Sequence, residues 1–329
     1  MVMHLSSEPD ESRAGKPVNM NSAVPYAQQF TGKVISNRYR LDILCADTAS
    51  KKVFSAIDET NGDKVALKLV DLKRAEPTAI EQLQASLEDA LRLDNENLVR
   101  LISYELRPTA AVLIFEYIEG ITIRQALQAQ KKLPETAVIE ILSGICAGLH
   151  ALHLRGKTHA NLNPDHILLA DGKTQRPVLI GHLPLANLQP ADDGQSEANE
   201  PAGQTAAARA NGRPWGSADV RYASPERIVG KPLDARSDIY ALSCILYESL
   251  CGVPPFGPSC AVEDDSNRLD AENITAQHLK EIPPRFREQH AELQVSSHIE
   301  RAIMEGLAKS REGRPRDADY SFNLSTHIH

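Results

Sequence analysis

Long apolar runs are absent from this sequence. The longest, around Ala110 to Phe115, is far shorter than the roughly 20 apolar residues that a membrane-spanning helix requires. The segment from Met1 to Lys16 is too polar for a secretory signal peptide. We therefore predict a soluble, cytoplasmic protein without a membrane span.

Paired cysteines and basic charge are also scarce. The five cysteines are odd in number and widely scattered, with no close pair of the kind found in zinc knuckles or redox motifs. A formal charge of −8 argues against a nucleic-acid partner, because binding to phosphate backbones usually needs a concentrated basic face. The cysteines are predicted to be free thiols, and the partner to be a protein.

The first part of the chain lacks any apolar period. Residues 1–36 are rich in Ser, Glu, Pro and Asn, so they bury too little surface to offset the entropy of ordering. We predict a disordered tail over 1–36. The 329 residues are enough for a large two-lobed domain, and no internal repeat is visible.

After the predicted tail, short strand-like runs dominate. Asn61-Gly62 lies between the runs 52–57 and 64–70, which is a strong signal for a two-strand hairpin. A helix is predicted from the three- and four-residue spacing of four side chains, Ile80, Leu83, Leu87 and Leu91. Two further strands are predicted at 98–106 and 111–117.

The pattern beyond Gly120 is helical. Three helices are predicted from apolar faces: one through Val138, Leu142, Ile145, Leu149 and Leu152, a central one through Ile239, Leu242, Ile245 and Leu246, and one near the end through Ile299, Ile303 and Leu307. Between them, Asn187 to Gly216 is crowded with Ala, Gly, Asp, Gln and Pro, which is typical of a long functional or disordered loop.

Several motifs in order resemble one family. They are Val65-Ala66-Leu67-Lys68, the run from Phe115 to Gly120, His159 to Leu169, Ser224-Pro225-Glu226, Asp234 to Tyr240, and Arg314-Pro315. From about Tyr39 to Ile328 the chain resembles the eukaryote-like (Hanks-type) Ser/Thr protein kinases found in bacteria. The resemblance implies an α+β, bilobal fold: a small antiparallel-sheet lobe with one helix at 37–118, and a mainly helical lobe at 119–329 with a flexible activation segment at about 187–218.

The resemblance also implies a nucleotide cleft between the lobes. Lys68 matches the lysine that pairs with phosphates, and Ala66 matches the small residue above adenine. The hinge from Glu116 to Ile118 and Leu168 complete the candidate nucleotide-binding residues. The turn that should cover the phosphates, Cys45 to Lys52, contains no glycine, and Asp47 in it would repel them.

The helix glutamate that should pair with the lysine is not assigned uniquely. Register counted back from Asn97-Leu98-Val99 places it on Ser86, whereas Glu88 or Glu81 would serve if the helix were shifted. Ser86 carries no charge with which to hold Lys68.

The reacting groups of the family are replaced. Asn161 stands where the proton-accepting aspartate is expected, Asn163 replaces the lysine of the same loop, and histidines replace both metal ligands, at His166 and His182. An amide takes up no proton at neutral pH, and a general base usually contributes about 10²- to 10⁴-fold in rate. Imidazole is a poor magnesium ligand. We therefore expect no intact catalytic residue and no metal site, although His166 and His182 leave a transition-metal site or a packed histidine pair as alternatives.

The architectural positions are retained. Glu226 and Arg314 match a buried ion pair of the family, and Asp238 matches the aspartate that braces the catalytic loop. His159 and Leu183 match members of the internal apolar column. A kept frame with lost reacting groups indicates a folded pseudokinase.

Three functions follow from this resemblance. The first is a non-catalytic regulatory module that binds a protein, such as an active kinase, a kinase substrate or a signalling complex. The second is a nucleotide sensor that holds ATP without turnover, with no cofactor required and magnesium disfavoured. The third is an active or weakly active ATP-dependent Ser/Thr kinase with displaced catalytic groups.

Overall fold

The structure is a computed structural model, and it describes residues 29–48, 51–183, 220–257, 271–289 and 293–318. The loop predicted from Asn187 to Gly216 and the activation segment predicted at about 187–218 lie outside these ranges, as does most of the predicted tail.

A six-stranded antiparallel sheet forms the first lobe, in the order β1-β2-β3-β4-β6-β5. Its strands are β1 Val34–Ile35, β2 Tyr39–Thr48, β3 Lys51–Asp58, β4 Lys64–Asp71, β5 Leu101–Arg107 and β6 Ala110–Glu116. The hairpin between β3 and β4 is confirmed, because these strands pair directly. Gly62 in their turn has a φ of +82°, a conformation that a side chain would strain.

The predicted helix of this lobe is α1, Pro77–Ala90. Leu83 and Leu87 are buried in the same apolar core as Leu113 from β6. Leu91, the last of the four side chains that predict this helix, lies one residue past its end and is exposed.

The predicted tail ends earlier than residue 36. Val34 and Ile35 form β1, which pairs with Arg40 and Tyr39 of β2. Phe30 packs against Phe54 with ring centroids 5.5 Å apart. Phe30 and Ile35 pack against an apolar cluster of the sheet, whereas Val34 is exposed, so two side chains and the pairing of β1 with β2 order the segment. The polar composition of residues 1–36 as a whole does not indicate this.

The two lobes are joined through Asn97 as well as through the chain itself. The Asn97 side chain donates to the Pro177 carbonyl at 2.8 Å, and its own carbonyl accepts from the Leu179 amide at 2.8 Å. A side chain at Gly144 would place its Cβ 2.5 Å from the Pro177 ring, so glycine permits this close approach. The contact fixes the floor of the cleft relative to the sheet.

The second lobe combines a three-stranded sheet with helices. Its elements are β7 Gly120–Thr122, α2 Ile123–Gln130, α3 Glu135–His153, β8 Ile167–Ala170, β9 Pro177–Leu179, α4 Pro225–Ile228, α5 Ala235–Cys251, α6 Ala271–Lys280, α7 Phe286–Gln289 and α8 Ser297–Gly306. The sheet order is β7-β8-β9. The central position predicted for α5 is confirmed, since every residue from Ser237 to Cys251 is buried.

One helix in the described part of the chain, α3, is long and apolar enough to cross a membrane by length and composition alone. It buries nine residues, including Val138, Ile141 and Leu149, in the same core that contains residues of α5. Core helices of this kind pass the same test, and the absence of a membrane span stays a prediction.

Candidate functional site

The catalytic-loop region is braced from α5 by Asp238. Its carboxylate accepts hydrogen bonds from the backbone amides of His159 and Ala160 at 2.8 and 2.9 Å, and it lies 3.0 Å from Nε2 of His153. Ala160 has a φ of +61°, an uncommon conformation for a residue with a side chain. The bonds to Asp238 hold the backbone in this conformation.

A second brace joins α4 to the segment after α8. Arg314 donates to both carboxylate oxygens of Glu226, at 2.8 and 3.0 Å. The Ser237 hydroxyl also donates to this carboxylate, at 2.5 Å. All three residues are buried. Burial raises the pKa of Glu226, but the hydrogen bonds from Arg314 and Ser237 outweigh it and leave that pKa lowered. The Glu226 carboxylate is therefore charged, and the Arg314 guanidinium compensates its charge.

His159 and Leu183 occupy the core beneath the cleft. Nε2 of His159 donates to the Ile180 carbonyl at 2.9 Å, and burial lowers the pKa of this imidazole, so it is neutral. Leu183 is buried in the same apolar cluster as Leu162 and Leu179. Both residues therefore stiffen the segment that carries His182.

The Asn161 side chain is already hydrogen-bonded. Its amide oxygen accepts from the Arg227 guanidinium at 2.9 Å. Arg227 follows the Ser224-Pro225-Glu226 string directly, yet nothing in the sequence pattern links it to a residue 66 positions away. This contact was missed at the sequence level. It places a fixed cation beside the position where the family needs a proton acceptor.

The side chains of Asn163 and His166 form hydrogen bonds with the backbone of their own loop. The Asn163 side-chain oxygen accepts from the Asp165 amide at 2.9 Å and so caps the short 3₁₀ turn Pro164–His166. Nδ1 of His166 lies 2.6 Å from the Asn161 carbonyl, so this nitrogen carries the proton. The His166 ring also packs near His159, with centroids 5.5 Å apart.

The two histidines at the metal-ligand positions are neutral at physiological pH. Burial lowers the pKa of both His166 and His182, and the repulsion that a second proton near His159 or Lys68 would meet adds to the shift, which brings both pKa values to about 3. Nδ1 of His182 is buried and has no hydrogen-bond partner among the described residues. The ring that carries this unpartnered nitrogen is kept neutral by burial and by nearby basic groups.

Kinase chemistry implies ATP with magnesium, and the cleft residues do not fit the metal. In the described ranges, no group of three His, Cys, Asp or Glu side chains is arranged to hold an ion. Magnesium requires hard oxygen ligands in octahedral geometry, whereas His166 and His182 offer imidazole nitrogens. These two imidazoles therefore do not fit the donor set that Mg²⁺ prefers.

Lys68 lies on β4, opposite Val53 of β3 and Leu113 of β6. Burial, and then the charge of Lys51, lowers the pKa of Lys68 to about 8. Among the described residues, no carboxylate contributes to this shift. Of the three positions proposed for its helix partner, Ser86 is half-buried, whereas Glu81 and Glu88 are exposed on α1.

The remaining nucleotide-binding candidates lie on β4, at and just after the end of β6, and on β8. Ala66 on β4 pairs with Phe115, one residue before Glu116 at the end of β6. Ile118 packs against an apolar cluster formed by Val99, Ala170 and Val178. On the opposite side, Leu168 of β8 is half-buried and pairs with Val178. The side chain of Glu116 accepts from the Arg100 amide at 2.8 Å, which fixes the start of the hinge.

Comparison with known proteins supports the resemblance to protein kinases. A family model described as the protein kinase domain matches residues 49–316. The chain is 28% identical over 299 residues to the serine/threonine-protein kinase pkn3 of Myxococcus xanthus, covering 90% of this chain and 50% of that protein. It is 27% identical over 292 residues to the serine/threonine-protein kinase PknB of Mycobacterium tuberculosis, covering 86% of this chain and 42% of that protein. The chain thus spans about half the length of these curated relatives.

Solved structures share the fold. A crystal structure of the Mycobacterium tuberculosis PknI kinase domain superposes with a TM-score of 0.60 at 18% identity, covering 90% of this chain and 97% of that one. A crystal structure of Rad53 1-466 in complex with AMP-PNP gives 0.63 at 18% identity, covering 87% and 64%. The predicted α+β, bilobal fold and the family resemblance are confirmed. Since the family model covers most of its length, this chain belongs to the protein kinase domain family, and its relatives are bacterial Ser/Thr kinases.

Proposed function

We propose that this kinase-family domain does not transfer phosphate from magnesium-ATP, and that it acts as a regulatory module, a pseudokinase that binds a protein partner. The observation that carries the proposal is the set of groups at the three reacting positions. Asn161 is an amide bound to Arg227, and His166 and His182 are neutral imidazoles. Proton acceptance and metal binding both lack a carboxylate there.

Positioning and electrostatics supply nearly all of the catalysis in phosphoryl transfer. Without metal ions, the charge that develops on the transferring phosphoryl group has no divalent cation beside it. Loss of the general base adds a further penalty of about 10²- to 10⁴-fold. The intact braces at Asp238 and Glu226 preserve the fold, whose surface can then bind a partner. The expected class of partner is an active kinase or a kinase substrate. The expected location is the cytoplasm.

A second candidate is a Ser/Thr protein kinase that retains activity with displaced groups. It is supported by the names of the relatives, which are Ser/Thr protein kinases, and by the retained Lys68. In this case, carboxylates at positions other than 161, 166 and 182 would hold the metal and accept the proton.

Transfer of radiolabelled phosphate separates the two candidates. The protein and its Lys68→Ala variant are incubated with γ-labelled ATP and generic protein substrates, with Mg²⁺ or Mn²⁺, beside an active kinase as positive control. We expect equal background incorporation from both. Incorporation above that of Lys68→Ala would overturn the pseudokinase proposal and support the kinase.

A further inference from the structure

Two leucines are exposed at the ends of helices from different lobes. Leu91 follows the last residue of α1 and is 42% exposed, and Leu154 follows the last residue of α3 and is 75% exposed. Both helices bury the leucines of their preceding turns. Single exposed leucines are common on protein surfaces, so the importance of this pair depends on the residues around it.

The two helix ends meet at the junction between the lobes. The Arg155 guanidinium donates to the Arg92 carbonyl at 3.3 Å. These two arginines are exposed and directly follow the two leucines in sequence, so each helix end carries an exposed apolar side chain and an exposed cation. We call Leu91, Arg92, Leu154 and Arg155 the helix-end surface.

Three basic side chains gather around one carboxylate at this junction. Nζ of Lys157 lies 2.5 Å from the Asp89 carboxylate. This contact lowers the pKa of Asp89, and the charges of Arg155 and Arg92 contribute to the shift. In the described part of the chain, neither arginine forms an ion pair. Lys157 therefore compensates Asp89, and the two guanidiniums add positive charge to the junction.

The other acidic residues near the end of α1 do not pair with these arginines. Glu88 accepts a hydrogen bond from Gln84, one turn back along the helix, at 3.2 Å. Asp94 and Glu96 lie in the turn after α1 and form no ion pair with any described residue. The helix-end surface thus combines two apolar side chains with two cations that lack a carboxylate partner within the described ranges.

We propose that the helix-end surface binds an acidic segment of a protein partner, with apolar side chains of that segment against the two leucines and its carboxylates on the two arginines. Carboxylates match the planar fork of a guanidinium, and the leucines supply apolar area to bury. The inference rests on the proposed function, since it gives the chemistry of the partner that a regulatory module would bind.

Charge favours this occupant over others. A second copy of the chain, bound through the same surface about a two-fold axis, would bring the arginines of the two copies together, which is unfavourable. A nucleic acid requires many basic contacts and leaves the leucines without an apolar partner. An acidic segment with apolar side chains satisfies both kinds of group.

Binding at this surface would act on both lobes at once. The first lobe contributes α1, whereas α3 leads through Lys157 to His159, whose backbone amide is held by Asp238. A segment that contacts both helix ends adds to the ion pair between Lys157 and Asp89. A partner could therefore stiffen the junction between the lobes without entering the cleft.

Fluorescence polarisation with the full chain tests the proposal. The probe is a labelled peptide of leucines flanked by glutamates, and its matched controls replace either the glutamates by glutamines or the leucines by serines. We expect each control peptide to bind about tenfold or more weakly than the probe, and added salt to weaken binding of the probe. A DNA duplex and anionic lipid vesicles are titrated alongside.

Four variants locate the site. Leu154→Ser and Arg155→Glu are each expected to weaken binding of the probe by about tenfold or more. Ile282→Ser and Arg287→Glu are the matched controls, because Ile282 is 85% exposed between α6 and α7 and Arg287 is exposed on α7. Both controls should bind the probe like the unmodified chain. All four side chains are exposed, so thermal unfolding should change little.

The outcomes distinguish this inference from the proposed function. No binding of the probe, equal binding of the control peptides, or binding that Leu154→Ser and Arg155→Glu leave unchanged would overturn the inference. Binding of DNA or vesicles in place of the probe, or a dimer in sedimentation that Leu154→Ser dissociates, would also overturn it. Those results would leave the pseudokinase proposal standing, because that proposal fails only on phosphate transfer above the Lys68→Ala background.

Discussion

The frame beneath the cleft and the cleft itself have opposite polar chemistry. In the frame, each charge has a matched partner: Glu226 is paired with Arg314, and Asp238 with two backbone amides and His153. In the cleft, Lys68 has no carboxylate partner among the described residues. The frame and the cleft therefore differ in how their charged groups are compensated.

A substitution in the frame and a substitution in the cleft have different consequences for the free energy of folding. Breaking a buried, fully bonded ion pair destabilises the fold, since the remaining charge is left without compensation. Replacing a cleft carboxylate with an amide or imidazole leaves the fold intact and removes only the chemistry of that group. A chain can therefore keep its architecture while it loses every group that handles protons and metal.

The largest expected effect comes from breaking the frame. Arg314→Met should lower the free energy of unfolding by about 3–5 kcal/mol, because Glu226 would remain buried without its cation. Chemical denaturation measures the change. Arg311→Met is the matched control. Arg311 is partly exposed, and its Nε lies 4.0 Å from the Glu226 carboxylate, which is too far for a strong ion pair, so its loss should cost about 1 kcal/mol or less. Equal losses in the two variants would contradict the comparison.

An intermediate effect is expected from the cleft histidines as pH falls. The pKa of His182 is about 3 in the folded protein and near 6.5 when unfolded, so only the unfolded chain takes up a proton between those values. The stabilisation due to the neutral histidine is complete above about pH 6.5 and is lost as pH falls toward 3.

His182→Gln should therefore reduce the dependence of stability on pH between about 6 and 4, by up to 1.4 kcal/mol per pH unit. Denaturation at a series of pH values measures the slope. His166, His159 and His278 also have lowered pKa values, so a residual slope should remain. An unchanged slope in His182→Gln would show that this imidazole titrates normally.

The smallest effect is expected from restoring the proton acceptor alone. Asn161→Asp should change the free energy of unfolding by about 1 kcal/mol or less, because the new carboxylate would pair with Arg227. It should not raise phosphate transfer above background, since that pair holds the aspartate and no metal ligand is regained. The radiolabel assay, with Lys68→Ala as background, checks this.

A triple variant sharpens the same point. Asn161→Asp combined with His166→Asn and His182→Asp returns oxygen ligands to the cleft, so magnesium should then raise the thermal stability given by ATP. Activity from Asn161→Asp alone would show that metal sites exist elsewhere in the cleft.

Most secondary structure was predictable because it depends on local pattern. The β3–β4 hairpin followed from Asn61-Gly62 between two strand-like runs, and α5 from its apolar surface. The predicted tail was too long because tertiary packing overrides composition. Phe30 and Ile35 pack on the sheet and β1 pairs with β2.

For the cleft, the sequence alone determined which chemical groups are present. An asparagine cannot accept a proton at neutral pH and a histidine is a poor magnesium ligand, whatever surrounds them, because these properties belong to the side chain itself. Only the tertiary structure decided how the groups are used. The bond from Arg227 to Asn161 and the neutrality of His182 both depend on residues distant in the chain being packed together.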